Sequence, residues 1–392
     1  MAYQLNISLG QEEALQRLKN YREEKCVNLV HDRQSINSNV VTDEGLTVIF
    51  EALGELQNLE KLKVDFVGRP LRLPVSALKL VLQRAPQLTS LVLEEVRLAG
   101  DLNEMDGLAQ SLRNHPSLKQ VHLHGCVPAE GSESTLDPLV TALANVGTLE
   151  EVLLRNTRIT SRNGDTTTEN DWSGTSLTHL CQSTSLRVLT LRDMAEIHDR
   201  HVELMAPPLI ANNTLRELTV CSTNLGKRSG KAMGQVLRAN RHMQKLEIQL
   251  DSGEHAIPIT EILQNNSTLK RLDLFFNGTI SPRIREAFTE MLRRNYVLLD
   301  LNGSVWRGQS NLEIDFYLRL NRAGRGNLLT EHATRHQWLD TLISQKDDLS
   351  IVFSLLLMNP SLCLPDTNAF MDVSSNGAAA SLHLRKRRKG AP

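Results

Sequence analysis

The chain has 392 residues, 40% of them hydrophobic and 23% charged, a composition that excludes disorder throughout and allows one large domain or two to three ordinary ones. Its 44 Lys and Arg against 45 Asp and Glu leave a net charge of -1, so no global field draws it to nucleic acid or to an anionic membrane. Leucine is the anomaly: 66 residues, against 8 Phe, 3 Trp and 4 Tyr, which predicts a core of aliphatic layers.

In chain order, residues 1–56 read as a helical N-terminal cap with a degenerate first repeat, with helices over Gln11 to Glu24 and Thr42 to Leu56. The opening segment lacks a basic stretch followed by an apolar run of signal-peptide length, which predicts a cytoplasmic protein. From 57 to 310 one pattern recurs nine times: an apolar residue, two variable ones, an apolar, one variable, an apolar. The copies are Leu59-Leu62-Val64, Leu88-Leu91-Leu93, Leu118-Val121-Leu123, Leu149-Val152-Leu154, Leu186-Leu189-Leu191, Leu215-Leu218-Val220, Met243-Leu246-Ile248, Leu269-Leu272-Leu274 and Tyr296-Leu299-Leu301. In each, the last two apolar residues are two apart and share one face of a short strand. Between strands the period becomes helical, as at Leu136, Leu139, Val140 and Leu143, and at Ile284, Ala287, Phe288 and Met291 behind a Ser281 N-cap and Pro282. Strand, then helix, then strand predicts an α/β solenoid with parallel strands on the concave side of a right-handed horseshoe and helices outside.

One such unit cannot fold alone, because its few buried aliphatics do not offset the ordering of about thirty residues. The ends therefore need closing. Residues 311–366 lose the strand pattern and read as a helical C-terminal cap, with Ile314, Tyr317 and Leu318 on one face and Trp338, Leu339 and Leu342 on another. Residues 367–392 read as a disordered tail carrying Arg385, Lys386, Arg387, Arg388 and Lys389, a cluster that solubilises the chain or serves as a nuclear-import signal or a nucleic-acid or anionic-lipid contact. The longest apolar run, Ile351 to Met358, falls far short of the roughly 20 residues a spanning helix needs, so no membrane insertion is expected. Five scattered cysteines with no CxxC pair predict reduced, packed thiols.

The LxxLxL copies with helical linkers of this length resemble the ribonuclease-inhibitor-like class of leucine-rich repeat proteins. The stretch FYLRLNRAGRGNLL, with WLDTLI and NPSLC behind it, is similar to the C-terminal region of predicted leucine-rich repeat proteins of unicellular algae. The class usually places Asn or Cys after the strand. Here that position holds Val96, Cys126, Thr157, Met194, Thr223 and Asn277. The same repeat class includes GTPase-activating proteins for Ran-type GTPases, which implies regulation of a small GTPase as an alternative role.

No catalytic pattern survives inspection. Gly226 to Ala232 lies between a strand and a helix like a phosphate loop, but its glycines are one residue too close and Ala232 stands where a magnesium-binding hydroxyl is needed. His122 and His124 share a strand face near Cys126, a spacing able to hold a metal, yet no further ligand is evident; solvated histidines are the plainer reading. His332 and His336 are four apart, but the glutamate of the zinc-protease motif is missing. The expectation is a non-enzymatic protein-interaction scaffold, with no cofactor, no metal and no small-molecule substrate.

Its partner would dock on the concave strands. There Val92, Glu94, His122, His124, Leu153, Arg155, Thr190 and Arg192 form the candidate surface, with Arg155 and Arg192 as the expected hot spot because guanidinium groups pair bidentately with carboxylates. A second candidate is Trp172, in the Ser161 to Gly174 surplus of the longest unit, an aromatic suited either to anchoring a protein partner on the rim or to folding back onto the following helix.

Overall fold

The computed structural model describes residues 3–6, 11–20, 25–30, 42–66, 72–129, 135–159, 174–222, 225–278, 280–303, 312–330 and 332–363. The chain divides into two compact units, Met1–Ile314 and Asp315–Pro392.

In the first unit eleven strands make one parallel sheet in chain order. They are β1 (Tyr3–Asn6), β2 (Cys26–Val30), β3 (Lys61–Asp65), β5 (Ser90–Glu94), β7 (Gln120–His124), β9 (Glu151–Arg155), β10 (Val188–Arg192), β11 (Glu217–Cys221), β12 (Lys245–Leu250), β13 (Arg271–Phe276) and β14 (Asp300–Asn302). Three short strands, β4 (Arg72–Pro74), β6 (Arg97–Ala99) and β8 (Val127–Pro128), pair in a second parallel sheet. Helices separate the main strands: α1 (Gln11–Asn20), α2 (Asp43–Gly54), α3 (Val75–Arg84), α4 (Leu102–Arg113), α5 (Asp137–Leu143), α6 (Thr175–Gln182), α7 (Asp199–Ala211), α8 (Lys227–Ala239), α9 (Ile257–Leu263) and α10 (Pro282–Arg294). The repeated strand–helix unit read from the leucines is thus present.

The pattern residues form the core: Leu62, Val64, Leu91, Leu93, Val152, Leu154, Leu189, Leu191, Leu246 and Ile248 are all buried, as are Leu136, Leu139, Val140 and Leu143 of the α5 segment. Polar side chains cap the starts of α2, α4 and α10. Ser281 Oγ accepts from the Ile284 amide, and Asp101 and Glu104 form a reciprocal capping box at α4.

Two differences from the sequence reading stand out. The sheet extends through residues 1–56, where β1 and β2 pair with each other and β2 pairs with β3. Their LxxLxL signature is incomplete: Val27 and Leu29 occupy the two strand positions, but Glu24 precedes them where the other copies carry an apolar residue. The ninth copy is also in a different register. Strand β14 aligns Leu301 with Leu272, so its apolar series is Leu298 and Leu301, not Tyr296, Leu299 and Leu301. Leu298 is 0% exposed and Tyr296 is 43% exposed.

The cause of that register is a column of buried side chains three residues before each first leucine. Asn212, Asn240, Asn266 and Asn295 sit there, between 2% and 8% exposed. Each donates its Nδ2–H to a carbonyl of the preceding unit, as Asn295 does to Leu263 at 2.6 Å, and accepts two amides ahead, as Asn295 Oδ1 does from Val297 and Leu298. Asn240 repeats this with Leu209 O, His242 N and Met243 N. His115 fills the column in an earlier unit, with Nε2 3.1 Å from Ala85 O and Nδ1 accepting from Ser117 N.

The second unit contains most of α11 (Leu312–Arg322), then α12 (Arg325–Leu328), α13 (Arg335–Ser344) and α14 (Leu349–Met358). Leu320, Ala323, Leu328, Trp338, Ile351 and Leu355 make its core. Trp338 is buried as expected, whereas Leu339 is 40% exposed. Arg325, 2% exposed, lies 5.5 Å from the Tyr317 ring centre, a geometry for cation–π attraction.

Candidate binding surface

In β3, β7, β9 and β10 the second and fourth side chains are buried and the third and fifth lie on the other face. Parallel pairing in strict register turns these into rows running across the sheet. The third positions give Lys63, Val92, His122, Leu153, Thr190, Thr219, Glu247 and Asp273 in order. The fifth give Asp65, Glu94, His124, Arg155, Arg192, Cys221, Gln249 and Phe275. The eight residues singled out on the strands therefore form one block four strands wide, about 15 Å across at the usual strand spacing.

The rows are not uniformly open. From β3 to β10 the third and fifth side chains are half-buried or, at Arg155, exposed. At β11 to β13, Thr219, Cys221, Glu247 and Asp273 are between 3% and 7% exposed. There the carboxylates turn inward to their own partners: Asp273 to Arg271 at 2.8 Å and to Asn302 at 2.9 Å, and Glu247 to Arg192. Glu247 also lies 3.4 Å from Thr219 Oγ1 and 3.6 Å from Cys221 Sγ. Burial, followed by the neighbouring Glu247 charge, pushes the Cys221 thiol up to about 12.

Arg192 reaches over β11 to do this. Its guanidinium is matched by Glu247 two strands away, so it acts first as a clamp within the sheet. Arg155 pairs with Asp193 at 3.1 Å, but both remain about half exposed, and a partner's carboxylate can compete for such a pair. His122 Nε2 is 3.0 Å from Glu151 Oε1, which Gln120 also holds through its other oxygen. The His124 carbonyl accepts from the Glu95 amide and from Cys126 Sγ, while its imidazole is half-exposed on the strand face. At the other edge Lys63 bridges Glu94 at 2.8 Å and Asp65 at 3.2 Å. Burial opposes its charge, and the bonds to Glu94 and Asp65 outweigh burial and raise its pKa.

Immediately after the strands, Glu95, Gly125, Asn156 and Asp193 all have positive φ, between 46° and 64°. Four successive units thus turn through the left-handed region at one level, which places Glu95, Asn156 and Asp193 on a ridge beside the block. Gly125 leaves room for the Glu95 carboxylate, whose Oε1 would stand 2.4 Å from an added Cβ. Between this ridge and Arg97, Arg158 and Glu196 lies a depression of about 260 Å³. The sequence reading missed Glu151, Asp193 and the ridge, because it followed only the third and fifth strand positions. The signal was a polar or glycine residue at the sixth position of four consecutive copies.

The residues after the strand, Val96, Cys126, Thr157 and Met194, are buried. Thr157 Oγ1 donates to Leu123 O at 2.9 Å and Cys126 Sγ to Leu93 O at 3.4 Å, so two of them do bond the preceding unit. Burial drives the Cys126 thiol up to about 12, consistent with an inert packed side chain.

The phosphate-loop candidate is occupied from within. Asp199, the first residue of α7, accepts from the Gly226 amide at 2.7 Å, the Ser229 amide at 3.1 Å and the Ser229 hydroxyl. Burial opposes its ionisation, but these bonds prevail and lower its pKa. A phosphate would find those amides taken. Gly230 is helical and approaches α9's leading turn: a Cβ would meet His255 O at 1.9 Å. Among the described residues no three His, Cys, Asp or Glu gather as a metal site, and His336 pairs with Asp340 at 3.5 Å on an exposed face. Trp172 and the basic cluster Arg385 to Lys389 lie outside the described residues, as does the rest of 364–392.

No protein-family model matches the chain, and no curated protein matches it. Among solved structures it is similar to the actin-binding site 2 of leiomodin-1, with 16% identity and a TM-score of 0.34, over 37% of this chain and 86% of that one. The C-terminal domain of a Caenorhabditis elegans tropomodulin is 11% identical with a TM-score of 0.32, over 40% of this chain and 97% of that one. Among the described residues no helix is long and apolar enough to cross a membrane.

Proposed function

We propose that the chain is a non-enzymatic protein-docking module of the leucine-rich repeat kind, of the ribonuclease-inhibitor-like class, and that its partner binds the open strand face of β5 to β10. One observation carries the reading. Val92, His122, Leu153 and Thr190 stand side by side in register, half-exposed, with Glu94, His124 and Arg155 in the next row and the Glu95 to Asp193 ridge beyond them. Apolar centres flanked by exchangeable charges are the anatomy of a protein interface. A rigid sheet also spares the ordering cost that a loop would incur on binding.

The site is best tested at Val92 and Leu153, which no ion pair needs. Val92→Glu with Leu153→Glu should weaken a partner identified by cross-linking and affinity capture at least tenfold, about 1.4 kcal/mol, with the melting temperature unchanged. Undiminished binding of the same partner would move the site off this face. Regulation of a small GTPase is the narrower alternative, and GTP hydrolysis by purified Ran-type GTPases with and without the protein decides it.

A further inference from the structure

Gly226 opens a helix of unusual charge. Residues 227–242 (KRSGKAMGQVLRANRH) contain five Lys or Arg and no Asp or Glu. In the structure Lys227, Arg228, Lys231, Arg238 and Arg241 are all exposed, while Ser229, Gly230, Ala232, Met233, Gly234, Val236 and Leu237 are buried. Only Arg228 pairs, with Glu203 of α7. Lys227, Lys231, Arg238 and Arg241 have no ion-pair partner among the described residues. Helix α10 shows the contrast: Arg293 and Arg294 are tied to Glu290, Arg293 also to Glu313, and Arg283 lies 3.6 Å from Glu254.

The neighbouring rim of α7 carries Arg200 and Glu203 in its first half and is apolar beyond them. Counting from Glu203, which touches α8 through Arg228, Pro207 and Ile210 follow at the i+4 and i+7 positions of one stripe, with Leu204 beside it. Leu204 and Ile210 are 41% and 38% exposed. Two helically spaced stripes, one apolar and one cationic, therefore run side by side on adjacent helices.

We propose that this α7–α8 surface docks an acidic amphipathic helix of a partner protein, separately from the strand face. Such a helix lays its apolar side on Leu204, Pro207 and Ile210 and its carboxylates along Lys227, Lys231 and Arg238, whose spacing matches acidic residues at i, i+4 and i+11. The patch is about one helix wide. Beyond it α9 exposes Glu261, the turn after it Asn265, and α6 exposes Thr175 and Gln182, which would not favour an anionic bilayer. Nucleic acid would use the cations but not the apolar stripe, and the patch offers no aromatic ring for base stacking.

The test uses the full chain and a labelled 18-residue synthetic peptide with one glutamate stripe and one leucine stripe, followed by fluorescence anisotropy. A scrambled peptide of equal composition, phosphatidylserine vesicles and an oligonucleotide duplex serve as rivals. The striped peptide should bind, weaken with salt, and lose about tenfold or more on Lys227→Gln, Lys231→Gln, Arg238→Gln together. Leu204→Ser with Ile210→Ser should cost about threefold or more while leaving the salt dependence unchanged. Failure of the striped peptide to bind, equal binding of the scrambled one, or tighter binding of vesicles or duplex overturns the proposal. All substituted side chains are exposed, and none belongs to the strand face, so failure here and failure of the proposed function are read separately.

Discussion

At His115 a single side chain links fold to pH. Its Nε2–H donates to Ala85 O and its Nδ1 accepts from Ser117 N, so the bonded form is neutral imidazole. Burial, only partly offset by the Ala85 bond, lowers its pKa. The folded-state value being depressed, the unfolded chain takes up a proton first as pH falls below about 6.5, and stability then declines with further acidification. His115→Asn should place at this level the residue that four other units already use. Its stability at pH 7.5 should stay within about 1 kcal/mol of the parent, and urea unfolding between pH 7.5 and 5 should show a shallower decline. An unchanged pH slope would mean that another group governs it.

Among the elements, α8 shows how much was legible and where reading stopped. Its apolar positions Met233, Val236 and Leu237 were clear from spacing, because helical periodicity is local. The role of Gly230 was not, because it depends on a backbone carbonyl that the next unit brings within 1.9 Å of an added Cβ. Gly230→Ala must push the two units apart and should cost about 1–3 kcal/mol in chemical denaturation, despite alanine's higher helix propensity. A stabilised variant would show that the units can slide. Likewise the aliphatic copies marked the strands, while the register of the last one depended on Asn295, whose bonds to Leu263 and Asn266 are long-range. The repeated Asn-x-x-apolar spacing at 212, 240, 266 and 295 was visible in the sequence, but its meaning needed a neighbour to bond to.

For the first unit as a whole, parallel order was predictable from the recurring pattern. Charge placement on the strand face was less so, since Arg192 and Glu247 are 55 residues apart and meet only across an intervening strand. Because neighbouring units share one core, one full period should be removable. Deleting residues 215–242 joins Thr214 to Met243 at equivalent levels and keeps the Thr214 amide on Asn212, with the Met243 amide in the place of Leu215's. The shortened chain should still unfold in a single transition, at a lower temperature, whereas deleting 215–228 breaks the phase and should leave no cooperative melt. A non-cooperative full-period deletion would argue against interchangeable units.

The reach of Arg192 to Glu247 also has a mechanical consequence. Pulled by its two ends, a stack of parallel strands gives way at its margins one strand at a time. A tether from β10 to β12 opposes that order locally, since β11 lies between the two strands it joins. Under tension the sheet carries a local point of added resistance at its seventh to ninth strands, where the pair must break before β11 can leave by itself.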